Sequence, residues 1–455
     1  MVRNTDVLVV GAGPAGVIAA ITAAKCSHRV ILIDCKEYRS IGDKTCGDAL
    51  ACERALFLKE KLDIELPSGS EVGMITDEAV LCVDDISVTL PDKQYIIDRR
   101  SFGQRLLRQA KELGVTVLAE TKAIKTLTEK GNVYGVLVED KRTSEMHEIH
   151  AYITIDCSGR RSCLRKSLPE KEFPLIETSV SRQEMAVTYR EIISLAGNDP
   201  YYPNSIKIIY DRNISLPGYF WIFPKGSRTL NVGIGQPVDP KKASHNTKKL
   251  FKKVLHKYYP PGTYEIKEGR GDFVPTRYPL MNGVANGFIA AGDAALHANP
   301  FTGEGHGPAA IAGYYAGTTA SKAIVAGNYS RDQLWWYNVA IIKHFAKLHA
   351  VDQLLAVSFY NFGIEKLKFI LKRGILKEEI AGEPQEARWE ILTVVKVLIR
   401  LFPRYDLLPS LLKLARAISA IEKLLDNYPR SPNSYERWKK NFDRKMKRIR
   451  EIKYS

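Results

Sequence analysis

Residues 6–34 constrain this chain more than any other stretch. Asp6-Val7-Leu8-Val9-Val10 is a continuous β-branched and apolar run, the pattern of a strand buried on both faces. Gly11-Ala12-Gly13-Pro14-Ala15-Gly16 follows at once, and an Ala- and Ile-rich stretch then reads as a helix to about Lys25. A second strand, Arg29 to Ile33, ends at Asp34, 23 residues after Gly11. Strand, GxGxxG, helix, strand and acid in this order form a dinucleotide cradle. Gly11 allows the tight turn, Gly13 lets the backbone approach a pyrophosphate, and Gly16 lets the helix lie close on the sheet. Pro14 and Ala15 begin the helix, whose N-terminus faces the phosphate charge. Asp34 is expected to accept the ribose hydroxyls of an adenosine. The motif alone does not separate a flavin from a nicotinamide dinucleotide.

At 455 residues the chain is too long for one ordinary domain, and two or three are expected. Hydrophobic residues at 45% and charged residues at 26% exclude a mainly disordered protein. No uninterrupted apolar run approaches the roughly 18 residues of a membrane span. The run from Ile391 to Phe402 is broken by Lys396 and Arg400. The first residues lead directly into a strand, so no secretory leader is expected and the reading is a cytoplasmic protein. The net charge is +16, and Ser434–Ser455 holds nine Lys or Arg against three acids. Such a tail suits nucleic acid, an anionic membrane surface or an acidic partner, or is simply a solvated helix. A peripheral contact with the inner face of the membrane is expected, and no nucleic-acid partner. The seven cysteines lie between Cys26 and Cys163, without a CxxC or a Cys/His spacing, so no metal site is expected.

A second segment points to FAD. Gly287-Phe288-Ile289-Ala290-Ala291-Gly292-Asp293 reads as a short strand ending in Gly-Asp, and Gly303-Glu304-Gly305-His306-Gly307 opens an Ala/Gly-rich helix. This resembles the second FAD contact of the para-hydroxybenzoate hydroxylase superfamily. The resemblance implies that Asp293, beside Gly292, binds the ribitol chain and that Gly303, Gly305 and His306 lie by the flavin. A positive helix end there stabilises the charge of a reduced flavin. It also implies that Arg99, in Asp98-Arg99-Arg100-Ser101-Phe102, contacts the cofactor and that the backbone near Ala123 approaches the adenine. Asp156-Cys157-Ser158-Gly159 departs from the superfamily's Asp-Gly motif, because Cys157 stands where glycine is usual. There is no second GxGxxG in a strand–helix context, so the electron donor is expected to dock transiently.

Two further segments narrow the reaction. Asp43-Lys44-Thr45-Cys46-Gly47-Asp48 follows the adenosine-binding strand, and Tyr219-Phe220-Trp221-Ile222-Phe223-Pro224 precedes Gly233-Ile234-Gly235. Together they resemble the Lys-x-Cys-Gly and YxWxFP…GxG patterns of geranylgeranyl reductases, most closely the archaeal enzymes of membrane-lipid saturation. The resemblance covers roughly residues 1 to 330 and places Lys44, Cys46, Gly47 and Ala49 against the flavin. His306 departs from it, standing where an apolar residue is expected. The implied fold is α/β, with a Rossmann-like FAD-binding domain, an antiparallel-sheet substrate domain and a C-terminal helical domain. Residues 1–60, 95–170 and 275–330 are expected in the first, 61–94 and 171–274 in the second, and 331–455 in the third. Apolar residues at helical spacing mark Leu354–Gln385 and Arg388–Tyr428 as helical.

In a strand, Tyr219, Trp221 and Phe223 share one face and Phe220 and Ile222 the other. Gly233 and Gly235 on the paired strand are expected to leave room opposite the three rings. Such a wall suits a long hydrocarbon chain, held by buried area, and the resemblance implies that the chain is that of a geranylgeranyl lipid or diphosphate. The expected reaction saturates isolated C=C bonds, with hydride from reduced flavin and a proton from elsewhere. An isolated alkene is not electrophilic, so the proton must arrive as cationic character develops at the neighbouring carbon. Cys46 is the donor by position, as a thiol kept protonated among apolar groups; with a pKa near ~8.5 it is a weak acid, so an ordered water is the rival donor. Two other readings stay open. A flavin-dependent halogenase or hydroxylase carries a WxWxIP segment akin to Tyr219–Pro224, and a prenyl-binding escort protein shares the architecture without a working flavin site.

Overall fold

The computed structural model describes residues 2–197, 199–200, 204–238, 246–375, 400–401 and 403–450. In order, the first elements are β1 (Val2–Val10), α1 (Pro14–Lys25), β2 (Val30–Ile33), β3 (Ala49–Ala51), α2 (Cys52–Leu62), β4 (Val72–Val83), β5 (Ile86–Ile97) and α3 (Arg99–Glu112). Next come β6 (Thr116–Leu118), β7 (Thr121–Glu129), β8 (Asn132–Asp140), β9 (Met146–Asp156) and α4 (Cys163–Ser167). The central part holds β10 (Met185–Leu195), β11 (Ser205–Tyr210), β12 (Tyr219–Pro224), β13 (Thr229–Pro237), α5 (Thr247–Tyr258) and β14 (Tyr264–Pro275). It leads to β15 (Val284–Ala285), β16 (Phe288–Ala290), α6 (His306–Val325), α7 (Arg331–Leu334), α8 (Trp336–Ile341) and α9 (Lys347–Lys372). Helices Leu408–Asp426 and Tyr435–Arg450 follow.

β1 explains its own sequence. Val7 and Val9 pack into one core and Leu8 and Val10 into another, so the strand is buried on both faces. It lies between β2 and β9, parallel to both, in a sheet ordered β15-β16-β9-β1-β2-β6 with β7 and β8 attached through β9. All ten residues from Ala15 to Ala24 of α1 are buried. The helix packs against α6, and a Cβ on Gly313 of α6 would lie 2.2 Å from the Ala15 carbonyl oxygen.

The second sheet runs β14-β10-β13-β12-β11-β4-β5-β3. It is not wholly antiparallel as expected, because β11 runs parallel to β4. The β4–β5 hairpin comes from a distant part of the chain, so its direction beside β11 is set by tertiary packing rather than by a turn. β3, within the segment 1–60 expected in the first unit, hydrogen-bonds to β5 of this sheet. One face of the sheet buries Phe220 and Ile222 against Phe251, Val254 and Leu255 of α5.

The helices beyond residue 330 share the first core, with Trp335, Phe345, Leu354, Leu411 and Phe442 joined to it. The helical expectation for Leu354–Gln385 and Arg388–Tyr428 is met in α9 and Leu408–Asp426, while 376–399 lies outside the described residues. Pro409 lies in the first turn of the Leu408–Asp426 helix, where its missing N–H costs nothing. No described helix is long and apolar enough to cross a membrane.

Candidate active site

The two sheets, the N-terminus of α6 and the first half of α9 enclose one cavity of about 1810 Å³. Every residue expected from the sequence to touch cofactor or substrate lines it except Gly16, and of the two glycines opposite the aromatic strand Gly235 lines it and Gly233 does not. Gly16 lies beneath the turn, where a Cβ would sit 1.7 Å from the Gly11 carbonyl oxygen. Its role is packing alone, and it does not face the cavity. Gly11 has φ +100°, and its Cβ would meet the Cys157 carbonyl at 2.3 Å. Cys157 is buried and its thiol is pushed well up by burial, so the residue replacing the usual glycine is inert packing under the turn. Gly13 differs from both: a Cβ there would have no atom within 4 Å. Its backbone is therefore bare to the cavity where α1 begins, the opening that a pyrophosphate needs.

The carboxylate of Asp34 already accepts the Ala12 amide at 2.8 Å and the Lys36 amide at 2.9 Å, one on each oxygen. Each oxygen keeps a lone pair for a hydroxyl. Ala123 on β7 and Ala49 at the start of β3 complete the rim. Asp293 is paired with Lys44 at 2.5 Å, so two expected cofactor contacts hold each other. His306 starts α6, is 8% exposed, and its Nδ1 has no hydrogen-bond partner. Burial, with Arg99 and Lys44 adding, holds its imidazole well below the ordinary value and neutral. An unpartnered ring nitrogen in a cavity wall is a polar handle for a bound group.

The surroundings of Cys46 correct the expectation of apolar neighbours. Its Sγ accepts hydrogen bonds from Arg99 Nη1 at 3.0 Å and the Asp48 amide at 3.2 Å, and donates to Asp48 Oδ1 at 3.2 Å. Burial raises the thiol, Arg99 opposes that and Asp48 adds to it. Asp48 holds φ +67°, a conformation aspartate tolerates better than most residues, and this turn aims its amide at the sulfur. A Cβ on Gly47 would lie 2.5 Å from the Phe223 ring, so the loop sits directly on the aromatic strand.

The aromatic face forms as expected. Tyr219 and Trp221 stand opposite Gly235 and Gly233, and Trp221 and Phe223 pack with Ala79, Ile96 and Ile206. The room left by Gly233 is filled by Trp221 itself, whose ring would be 2.1 Å from a Cβ there. Trp221 and Gly235 both line the cavity. Tyr219 donates its hydroxyl proton to the Thr302 carbonyl, fixing the wall to the loop before α6.

Sequence reasoning missed Asn231, Lys225 and the role of Asp48. Asn231 accepts from Trp221 Nε1 at 3.1 Å and donates to the Cys46 carbonyl at 2.8 Å and to Asp48 Oδ2 at 2.9 Å. A signal existed: Asn231 shares a strand face with Gly233 and Gly235, and a buried amide on such a face needs partners. Also missed was a buried polar group by α9. Asn299 donates to Asp352 Oδ2 at 2.6 Å, and burial pushes the Asp352 carboxyl up to about 7. A folded value above the ordinary 3.8 means a contribution that is full at low pH and lost as pH rises through 7. Asp352→Asn is therefore expected to melt above the parent at pH 8, with the gap closing toward pH 4. A gap independent of pH would refute this.

Comparisons with known proteins follow this geometry. Residues 6–164 match the family model of FAD dependent oxidoreductases, and residues 184–271 match that of the geranylgeranyl reductase catalytic domain. A digeranylgeranylglycerophospholipid reductase of Sulfolobus acidocaldarius is 30% identical over 444 residues, covering 96% of each chain. A geranylgeranyl bacteriochlorophyll reductase-like protein of Thermoplasma acidophilum superposes with a TM-score of 0.75 at 21% identity, covering 92% of this chain and all of that one. The myxobacterial chondrochloren halogenase shares the fold at a TM-score of 0.63 and 18% identity, over 84% of this chain and 92% of its own. An FAD-type cavity and its reductase-type aromatic strand thus coincide with full-length similarity, and the chain belongs to the digeranylgeranylglycerophospholipid reductase family of FAD-dependent oxidoreductases.

Proposed function

We propose that this protein saturates isolated double bonds in the geranylgeranyl chains of a membrane glycerophospholipid precursor. The observation that carries the reading is the position of the Tyr219–Trp221–Phe223 wall, which faces the same cavity as the glycine turn and the start of α6. In this reading Gly11, Gly13, Pro14 and Ala15 hold the pyrophosphate of FAD and Asp34 the adenosine ribose. Ala123 lies by the adenine, Arg99 and Lys44 supply positive charge, and Gly292, Asp293, Gly303, Gly305 and His306 hold the ribitol and ring end. Cys46, Gly47 and Ala49, which line the same cavity, would hold the flavin end of the bound cofactor. Reduced FAD supplies the hydride.

The chain's own residues supply the rest. The aromatic rings bury the hydrocarbon and exclude water, and each gives about 1–2 kcal/mol to a desolvated cationic centre. Cys46 supplies the proton. Arg99, 3.0 Å from the sulfur, stabilises the thiolate left behind. An external reductant docks transiently, and the basic C-terminal helix meets an anionic membrane surface.

The decisive experiment is anaerobic. Chemically reduced protein is mixed with a geranylgeranylated phospholipid, and the lipid is followed by mass spectrometry. Stepwise gain of hydrogen pairs with flavin reoxidation is expected. An unchanged lipid mass, with flavin that reacts only with oxygen, would transfer the protein to the monooxygenase or halogenase class. Cys46→Ala is expected to keep its flavin and lose about 100-fold in turnover, and wild-type turnover in that variant would remove the thiol from the mechanism.

A further inference from the structure

A thiol that gives up its proton once per double bond must be recharged, because each chain carries several and a buried thiolate is costly. The surroundings of Cys46 hold a route. Asp48 bridges two donors, the Cys46 thiol on Oδ1 at 3.2 Å and Lys225 Nζ on Oδ2 at 2.7 Å. The side chain of Asp48 is 3% exposed and that of Lys225 is 15% exposed, so Lys225 is the member of the row nearer solvent, and its Nζ also donates to the Ile97 carbonyl at 3.1 Å. Asn231 adds a third donor, to Asp48 Oδ2 at 2.9 Å.

We propose that Lys225 and Asp48 are positioning residues that form a proton line recharging Cys46 after each reduction. The proposal rests on the reading of Cys46 as donor. In each round the S–H bond breaks and a C–H bond forms at the less substituted alkene carbon. The neighbouring carbon takes hydride, so the alkene gains two electrons and FAD is oxidised by two. The thiolate stays beside Arg99. Lys225 then gives a proton to Asp48 Oδ2, the neutral carboxyl turns to present that same proton to Sγ, and the neutral amine regains a proton from water. The net demand is one solvent proton per double bond, and the external reductant restores the two electrons.

The charged and titratable groups around the sulfur come from several elements. Arg99 of α3 and Asp48 touch it, Lys225 lies behind Asp48, and the Lys44–Asp293 pair and His306 of α6 lie around Arg99. Removing the carboxylate while keeping Arg99 should therefore ease ionisation of the thiol.

Two measurements on the FAD-loaded protein test the line. The first is the pH dependence of Cys46 alkylation by iodoacetamide, read by peptide mass spectrometry. Asp48→Asn is expected to lower the midpoint by about one pH unit or more, and an unmoved midpoint would overturn the role of Asp48. The second uses Lys225→Arg, which keeps the charge and a donor but cannot release a proton at working pH. Its ratio of steady-state to first-turnover rate is expected to fall about 10-fold, with a larger solvent deuterium effect. A wild-type ratio would overturn the line. If arginine lowers the melting midpoint, Lys225→Gln serves for the same ratio. Failure of the donor reading is separate: it appears as full turnover in Cys46→Ala.

Discussion

Gly13→Val is expected to fold normally and to purify without colour. Gly13 caps α1 at φ −72°, which any residue can adopt, and a side chain there would enter open cavity with nothing within 4 Å. The fold loses nothing, so the stability of the apoprotein should change by no more than about 0.5 kcal/mol. The pyrophosphate loses its approach to the backbone, and FAD affinity should fall by at least about 100-fold, or roughly 2.7 kcal/mol. Flavin absorbance per chain and the melting midpoint of the apoprotein read the two effects apart. Gly16→Val is the contrast. Its Cβ would overlap the Gly11 carbonyl at 1.7 Å, so that variant should lose the fold itself. Full flavin content in Gly13→Val would show that the phosphates bind elsewhere.

Gly233→Val should do the opposite, keeping FAD and losing the lipid reaction. A Cβ at 233 would lie 2.1 Å from the Trp221 ring, so the indole must leave its place. Its hydrogen bond to Asn231 is then lost, and Asn231 is the residue that ties Trp221 to the Cys46 carbonyl and to Asp48. The aromatic wall and the thiol are displaced together. A shift of about 1 Å in a reacting geometry costs on the order of 100-fold, and kcat/KM for lipid reduction should fall at least that far. Flavin content should stay near the parent level, because the pyrophosphate turn, Asp34 and the Gly292–His306 contacts are on elements that Trp221 does not hold. Parent kcat/KM in this variant would mean that Trp221 does not position the reacting chain.

Much of the site could be read in advance because its information is local. The strand, turn and helix of residues 6–25 are encoded by consecutive residues, and Asp34 follows at a spacing set by one helix and one strand. The alternation in Tyr219–Pro224 assigns its two faces without any knowledge of neighbours, since side chains in a strand alternate. The burial of Phe220 and Ile222 against α5, with Trp221 and Phe223 on the other side, follows that alternation.

What only the tertiary structure decided is the electrostatic setting of those same residues. Cys46 meets Arg99, 53 positions away, and Asp48 meets Asn231 and Lys225, 183 and 177 positions away. No local period or spacing encodes such meetings, so apolar surroundings were expected where an arginine and an aspartate stand. The same holds for β11 lying parallel to β4, and for α9 bringing Asp352 to the cavity. By itself the sequence determined the cradle, the aromatic face and the family they belong to, because backbone conformation and side-chain alternation are properties of neighbouring residues. The state of the thiol and its route to solvent were left to the tertiary structure, because charge acts through space and not along the chain.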